Sequence, residues 1–323
     1  MSPPLLDVSG LETQFATRTG VLKAVNGVSF TVARGEILGL VGESGSGKSV
    51  TGFSLIGLID PPGRIAAGSV KLEGRELVGL AQPELRAIRG RRISMVFQDP
   101  SMTLNPVLTV GVQMRLALEA HVRLSRREAQ ARSIAALEQV RIPDPARRLE
   151  AYPHQFSGGM RQRIAIAIAL LHQPDLVIAD EPTTALDVSI QAQILTEMKA
   201  LARERGTALI WISHDLATIS SIADHIAVMY AGRIVERGPT AAVLRDPRHP
   251  YTRGLLDSLP AMAPAGTELA AIAGTTPALD RLPPGCPFAP RCFAARPCCA
   301  EDPPETLEAA RGYRCHFPLG VAA

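Results

Sequence analysis

Gly42-Glu43-Ser44-Gly45-Ser46-Gly47-Lys48-Ser49 is the stretch that decides the fold of this chain. A Gly, four free positions and then Gly-Lys-Ser match the phosphate-binding P-loop, in which a glycine-rich turn lets backbone N–H groups curl around phosphate oxygens. The flanks fit. Glu36 to Val41 reads as a short buried strand and Lys48 to Leu58 as the helix after it. A strand delivering the chain to a helix N-terminus is the arrangement an anion site needs.

Working outward toward the N-terminus, residues 5 to 35 carry short alternating apolar stretches around a turn near Arg18 to Gly20, an antiparallel strand region. Phe15 lies in it, and from the sequence alone it reads as a core aromatic. Beyond the P-loop helix, Pro61-Pro62-Gly63 breaks the chain and Ser69 to Gly74 reads as another strand. Ile93-Ser-Met-Val-Phe is a further strand, which carries Gln98 to its C-terminal end, the end where open α/β sheets bind ligands.

Leu108 to about Tyr152 reads as helical, with Ser125 and Glu128 spaced as a capping box. The next apolar run, Ile164 to Leu171, alternates with the period of a strand. Helix is still the better reading. Ser157 is a good N-cap, a strong strand begins at Leu176, and consecutive parallel strands need a crossover between them. The Leu176 strand ends in Asp180-Glu181. Beside a P-loop, such an Asp holds Mg²⁺ through its water shell, and the Glu orients or deprotonates an attacking water. Ala208 to Ile212 is another buried strand, placing His214 at the same edge, and Ile226 to Gly238 reads as a closing hairpin.

From about Arg245 the composition changes: 14 of the 26 prolines lie after residue 238, and all five cysteines fall between Cys286 and Cys315. Little regular structure is expected there, so the cysteines are the candidates for holding it. Cys286, Cys292, Cys299 and Cys315 are separated by five, six and 15 residues. Such spacing leaves an iron–sulfur cluster and zinc both open, with His316 as a possible zinc ligand. In a chain expected to be cytosolic, clustered cysteines bind metal more often than they form disulfides.

Composition excludes some classes. The longest apolar run has eight residues, far short of a membrane span, and the start carries no basic or long apolar leader. A net charge of +3 is too mild to argue for nucleic acid.

The P-loop, Gln98, Ser157-Gly158-Gly159, Asp180-Glu181, Ala185-Leu186-Asp187 and His214 follow one another in an order and spacing that resembles an ATP-binding cassette (ABC) transporter ATPase subunit. More narrowly, Phe97-Gln98-Asp99-Pro100 with Leu104-Asn105-Pro106, Phe156-Ser157-Gly158-Gly159-Met160, Thr183 to Ser189 and His249-Pro250-Tyr251-Thr252-Arg253 resemble the dipeptide/oligopeptide import ATPases, whose features nickel importers share. The fold implied is an α/β P-loop NTPase cassette, with a mostly parallel sheet core, an antiparallel β subdomain and a helical subdomain at about 100–160. It spans 1–245, and 246–323 form a proline- and cysteine-rich extension.

The resemblance also implies roles. Phe15 stacks on adenine; Gly42, Ser44, Gly45, Ser46 and Gly47 wrap the phosphates; Lys48 contacts the β and γ phosphates. Ser49, Gln98 and Asp180 serve Mg²⁺, Glu181 acts on water, and His214 holds the γ-phosphate. Ser157, Gly158 and Gly159 reach the ATP of a second ATPase subunit, expected to be a different chain, with Asp187 near the seam. Two permease subunits and an extracytoplasmic substrate-binding protein complete the implied assembly, which places this chain on the cytoplasmic face of the membrane. Cys286, Cys292, Cys299 and Cys315 match the family's [4Fe-4S] tail, with Zn²⁺ as the alternative; Cys298 is the extra. Ser101-Met-Thr-Leu-Asn departs from the usual Met-Thr-Ser-Leu-Asn, and Met160 stands where many transporters have Gln. A soluble ABC ATPase acting on ribosomes or nucleic acid fits less well, since one cassette with a short helical insert lacks the usual doubling or coiled coil. A metal-sensing regulatory subunit is supported by the tail alone.

Overall fold

A computed structural model of the protein describes residues 3–18, 20–100, 103–183, 188–260 and 270–320. The chain forms two compact units, one of Met1–Ala33, Ile37–Val78 and Trp211–Ala323, the other of Arg34–Glu36 and Gly79–Ile210.

The first unit begins with β1 (Leu6–Thr17) and β2 (Gly20–Val32), an antiparallel pair in which Leu6 faces Val32 and Phe15 faces Leu22. Burial of Leu6, Val8, Leu11 and Thr13 against exposed alternates explains the period-two pattern of the sequence. Next comes β3 (Ile37–Val41), whose five residues are all buried, as a parallel strand covered on both faces requires. It feeds the phosphate-binding loop and then α1 (Lys48–Leu55). β4 (Gly63–Leu72) returns to pair with β1, and β5 (Arg75–Glu76) finishes a four-stranded sheet in the order β2-β1-β4-β5.

The second unit contains α2 (Gln82–Ile88), β6 (Ile93–Val96), α3 (Val110–Glu119), α4 (Arg126–Gln139), α5 (Pro145–Arg148), α6 (Gly158–Leu170), β7 (Leu176–Asp180) and α7 (Val188–Arg205). β6 and β7 are parallel neighbours, Ile93 beside Leu176 and Val96 beside Ala179. The helical reading of Ile164 to Leu171 holds: Ser157 caps α6 by accepting from the Met160 N–H, and α6 serves as part of the crossover. The Ser125 capping box on α4 also forms, with both reciprocal hydrogen bonds present. α6 is buried nearly all round, so no single-face periodicity marks it in the sequence.

β8 (Ala208–Ser213) carries the chain out of the second unit into the first. There α8 (Leu216–Ile222), β9 (His225–Tyr230), β10 (Arg233–Pro239), α9 (Thr240–Arg245) and α10 (Pro250–Asp257) follow. β9 runs parallel to β3, and β10 returns antiparallel to β9, the hairpin expected from the sequence. The cysteine-rich extension adds two more strands, β11 (Glu305–Glu308) and β12 (Arg311–Arg314), and within this unit the order reads β11-β12-β10-β9-β3.

That hairpin corrects one expectation. The extension is not held by its cysteines alone, since β12 pairs with β10 through Glu236–Tyr313 and Arg237–Gly312. Glu236 has no exposed surface and accepts from the Arg248 and His249 backbone N–H groups and the Arg311 guanidinium, at 2.8, 2.9 and 2.9 Å. Phe288 packs edge-on against Tyr230 and Tyr251, with ring centroids 5.2 Å apart in each case. A carboxylate inside a strand and an aromatic knot therefore anchor the segment.

Two expectations follow. Arg311→Met leaves Glu236 buried without its cation and should cost about 3–5 kcal/mol, read from urea unfolding curves. Burial pushes the His249 imidazole down to about 3, outweighing a hydrogen bond that the ring donates to the Arg314 backbone and that favours the charged form. Between that value and the ordinary 6.5 the unfolded chain binds a proton that the folded chain refuses. Stability should therefore fall as pH drops through this window, by up to about 1.4 kcal/mol per pH unit. His249→Asn, which keeps an N-cap acceptor, should flatten that slope in thermal melts taken from pH 7 to pH 4.

Candidate active site

Gly42 and Gly47 show why the loop needs glycine. Their φ values are +154° and +99°, and a Cβ would lie 2.2 Å from the Met229 carbonyl oxygen at Gly42 and 2.4 Å from that of Ala24 at Gly47. Gly47 is the N-cap of α1, so the first-turn N–H groups that no helical carbonyl can satisfy point into the loop. Lys48 is buried, and its ammonium donates to the Gly42 and Glu43 carbonyls at 2.8 and 2.9 Å and to Ser46 Oγ at 3.4 Å. The loop thus wraps around its own lysine. Ser44 and Gly45 are exposed, and Ser49 is the second residue of α1.

Phe15, expected in the same unit, is half-buried in β1, and its ring edge lies 2.5 Å from where a Cβ on Gly63 would stand. Gly63 is the β4 residue paired with Phe15, so a bare backbone there gives the ring its room. His214 also belongs to this unit, exposed and directly after β8.

The second unit brings three expected residues to one strand edge. Asp180 is buried as the last residue of β7, Glu181 follows it, and Gln98 lies two residues beyond β6. Gln98 Nε2 donates to Glu181 Oε2 at 3.1 Å. Glu181 holds φ +44°, a left-handed conformation that costs a non-glycine residue energy and that recurs at active sites. Ser157, the N-cap of α6, and Gly158 are exposed, and Gly159 is partly so. A Cβ on Gly158 would meet nothing within 4 Å, so that helix end is open. Asp187 lies outside the described residues, as do Thr184, Ala185 and Leu186.

In the extension, Cys286, Cys292, Cys299 and Cys315 line one small apolar pocket together with Phe288 and His316, and Cys298 does not. All five thiols are free. Burial raises the Cys286 and Cys292 thiols and pushes Cys315 up to about 11, and neighbouring cysteines of the same pocket add to each shift. Among the described residues no three His, Cys, Asp or Glu side chains are drawn into a metal-holding arrangement. The donor set is assembled and its coordination geometry is not.

Four residues escaped the sequence reading. Glu43 Oε1 and Oε2 accept from the two terminal nitrogens of Arg291, at 3.0 and 2.6 Å. Thr276 Oγ1 donates to the same carboxylate at 3.0 Å, and the Glu43 N–H donates to Tyr251 Oη at 2.8 Å. Only the fold brings positions 233 and 248 residues apart together, although Tyr251 did stand inside a quoted motif.

Comparisons with known proteins place the chain among relatives. The ABC transporter family model matches residues 25–184, and the model of the oligopeptide/dipeptide transporter C-terminal region matches 235–299. The oligopeptide transport ATP-binding protein OppD of Salmonella typhimurium is 48% identical over 316 residues, 98% of this chain and 94% of that protein. The dipeptide transport ATP-binding protein DppD of Bacillus subtilis is 50% identical over 289 residues, 89% of this chain and 86% of that one. Among solved structures, a dimeric ATP-binding cassette in a post-hydrolysis state with ADP and Pi superposes with a TM-score of 0.66 at 26% identity, covering 73% of this chain and 98% of that one. CbiO1 of Clostridium perfringens, part of an ABC transporter complex, gives 0.64 at 25% identity, over 76% and 92%. By its identity to these relatives and its match to both family models, the chain belongs to the ABC transporter ATP-binding proteins, in the branch that carries the oligopeptide/dipeptide transporter C-terminal region.

Proposed function

We propose that this chain is the ATP-hydrolysing subunit of an importer that brings dipeptides or oligopeptides across the cytoplasmic membrane. The observation that carries the reading is near-50% identity to OppD and DppD over most of the chain, with a family match at both the cassette and the extension. Among the described residues no helix is long and apolar enough to cross a membrane. The chain then works at the cytoplasmic face through two permease subunits that receive cargo from an extracytoplasmic binding protein.

On this reading Gly42 to Ser49 cradles the phosphates, with Lys48 exchanging loop carbonyls for β and γ oxygens. Phe15 stacks on the adenine and His214 meets the γ-phosphate. Ser49, Gln98 and Asp180 supply a hydroxyl, an amide and a carboxylate, the hard oxygen donors that suit Mg²⁺, which would neutralise phosphate charge. Glu181 accepts the proton of the attacking water, and its contact with Gln98 orients it. Ser157, Gly158 and Gly159, at an open helix N-terminus, serve the ATP of a second ATPase subunit, with Asp187 at the seam. Residues 1–245 are the cassette and 246–323 the extension. Four pocket thiols fit the thiolate donor set of a [4Fe-4S] cluster, whose part would be to cross-link the extension. Because the Cys286, Cys292 and Cys315 thiols are raised by burial and by neighbouring cysteines, loading them requires the release of protons.

Glu181→Gln should lower ATP turnover of the assembled transporter by about 10²–10⁴-fold while nucleotide still binds; undiminished turnover removes Glu181 from its role. Anaerobically purified protein should contain iron and acid-labile sulfide and absorb in the visible, and Cys286→Ser should lose all three. Stoichiometric zinc without iron would replace the cluster with a tetrahedral zinc site.

A further inference from the structure

Glu43 is a free position of the phosphate-binding motif, so phosphate chemistry asks nothing of its side chain. The fold nonetheless spends an unusual set of contacts on it. The Arg291 guanidinium grips the carboxylate with two nitrogens, at 2.6 and 3.0 Å, while only 6% of the Arg291 side chain is exposed. Arg291 is itself fixed: its Nε donates to the Ala273 carbonyl at 3.0 Å, and its guanidinium carbon lies 5.9 and 6.0 Å from the ring centroids of Tyr230 and Phe288. Thr276 and Tyr251 complete the grip, on the side chain and the backbone N–H respectively. The three residues that hold the Glu43 side chain and N–H here, Arg291, Thr276 and Tyr251, come from beyond residue 245.

Glu43 is also where this grip meets the chemistry. Its carbonyl, with that of Gly42, receives the Lys48 ammonium at 2.9 and 2.8 Å. One peptide segment thus has its N–H and side chain fixed by the extension and its carbonyls on the phosphate-binding lysine. A bidentate arginine–carboxylate pair is the strongest and most directional of such contacts, and here it is largely out of water.

We propose that Arg291 is a positioning residue for nucleotide binding, holding Glu43 so that the phosphate-binding loop and the Lys48 ammonium keep the geometry that receives ATP. The extension is then a working part of the nucleotide site and not only an appendage to it. The inference rests on reading Gly42 to Ser49 as the loop that binds nucleotide.

The test is equilibrium binding of a fluorescent ATP analogue with Mg²⁺ to the full chain. Arg291→Met should weaken binding roughly tenfold, the loss expected for a hydrogen-bonded charge pair. Arg291→Lys, which keeps the charge but not the fork, should recover part of the loss. Glu43→Gln should weaken binding by a similar factor, and Glu43→Gln with Arg291→Met should be no worse than either alone. Should Arg291→Met fail to fold, Arg291→Lys and Glu43→Gln carry the same comparison. Wild-type affinity in Arg291→Met or Glu43→Gln, or effects of the two that multiply in the double variant, would overturn the proposal: the contact would then only dock the extension. Failure of the unmodified chain to bind the analogue would instead overturn the reading of the loop itself.

Discussion

Glu236 is a carboxylate with no exposed surface in the middle of β10, and a charge so placed is tolerable only when donors surround it. Every donor it has here is downstream: the Arg248 and His249 N–H groups at the entry to α10, and Arg311 at the start of β12. That one requirement ties two separate stretches of the extension to the strand beside β9. The rest of the segment is arranged around it. His249 caps α10 and puts Tyr251 against Tyr230, Phe288 packs against both rings, and Arg291 lies along the same aromatic surface. The buried carboxylate thus joins the aromatic knot in giving the proline-rich segment a reason to fold back on β10.

The nucleotide machinery follows a different economy. Buried strand β3 has no polar side chain and β7 has none before its last residue, Asp180, so reactive groups appear at or beyond the strand ends, where the backbone leaves the sheet. At the end of β3 the chain turns through Gly42 and Gly47, where any side chain would strike a carbonyl. At the end of β7 it turns through Glu181, which has no such excuse and takes a left-handed φ regardless. A strained carboxylate held by an amide 3.1 Å away is a group pre-placed for a task.

Most of this was legible in the sequence because local chemistry forces it. The loop glycines, the Ser125 capping box and the Ser157 cap each show a side chain or its absence answering a neighbouring backbone group. Ile164 to Leu171 was ambiguous because a helix buried nearly all round has no polar face to reveal its period. β11 and β12 escaped because Glu-Thr-Leu-Glu and Arg-Gly-Tyr-Arg are polar and short, and they are strands only because β10 offers an edge. Glu43 escaped for a third reason. A motif names the positions that touch the ligand, whereas what fixes a free position is a tertiary partner 248 residues away.

The same partner joins the two halves of the first unit's chemistry. Arg291 is followed at once by Cys292, which lines the thiol pocket, and the pocket is walled by Phe288, which also touches Tyr251. Tyr251 and Arg291 are two of the three groups that fix Glu43. The path from a pocket cysteine to the phosphate-binding loop is therefore a single residue of chain and one ion pair, all of it within packed side chains. Burial raises the Cys286, Cys292 and Cys315 thiols, so the pocket gains strength as a cross-link only when something draws off their protons. The thiol pocket and the Arg291–Glu43 pair are thus neighbouring parts of one packed segment, a single residue apart in the chain.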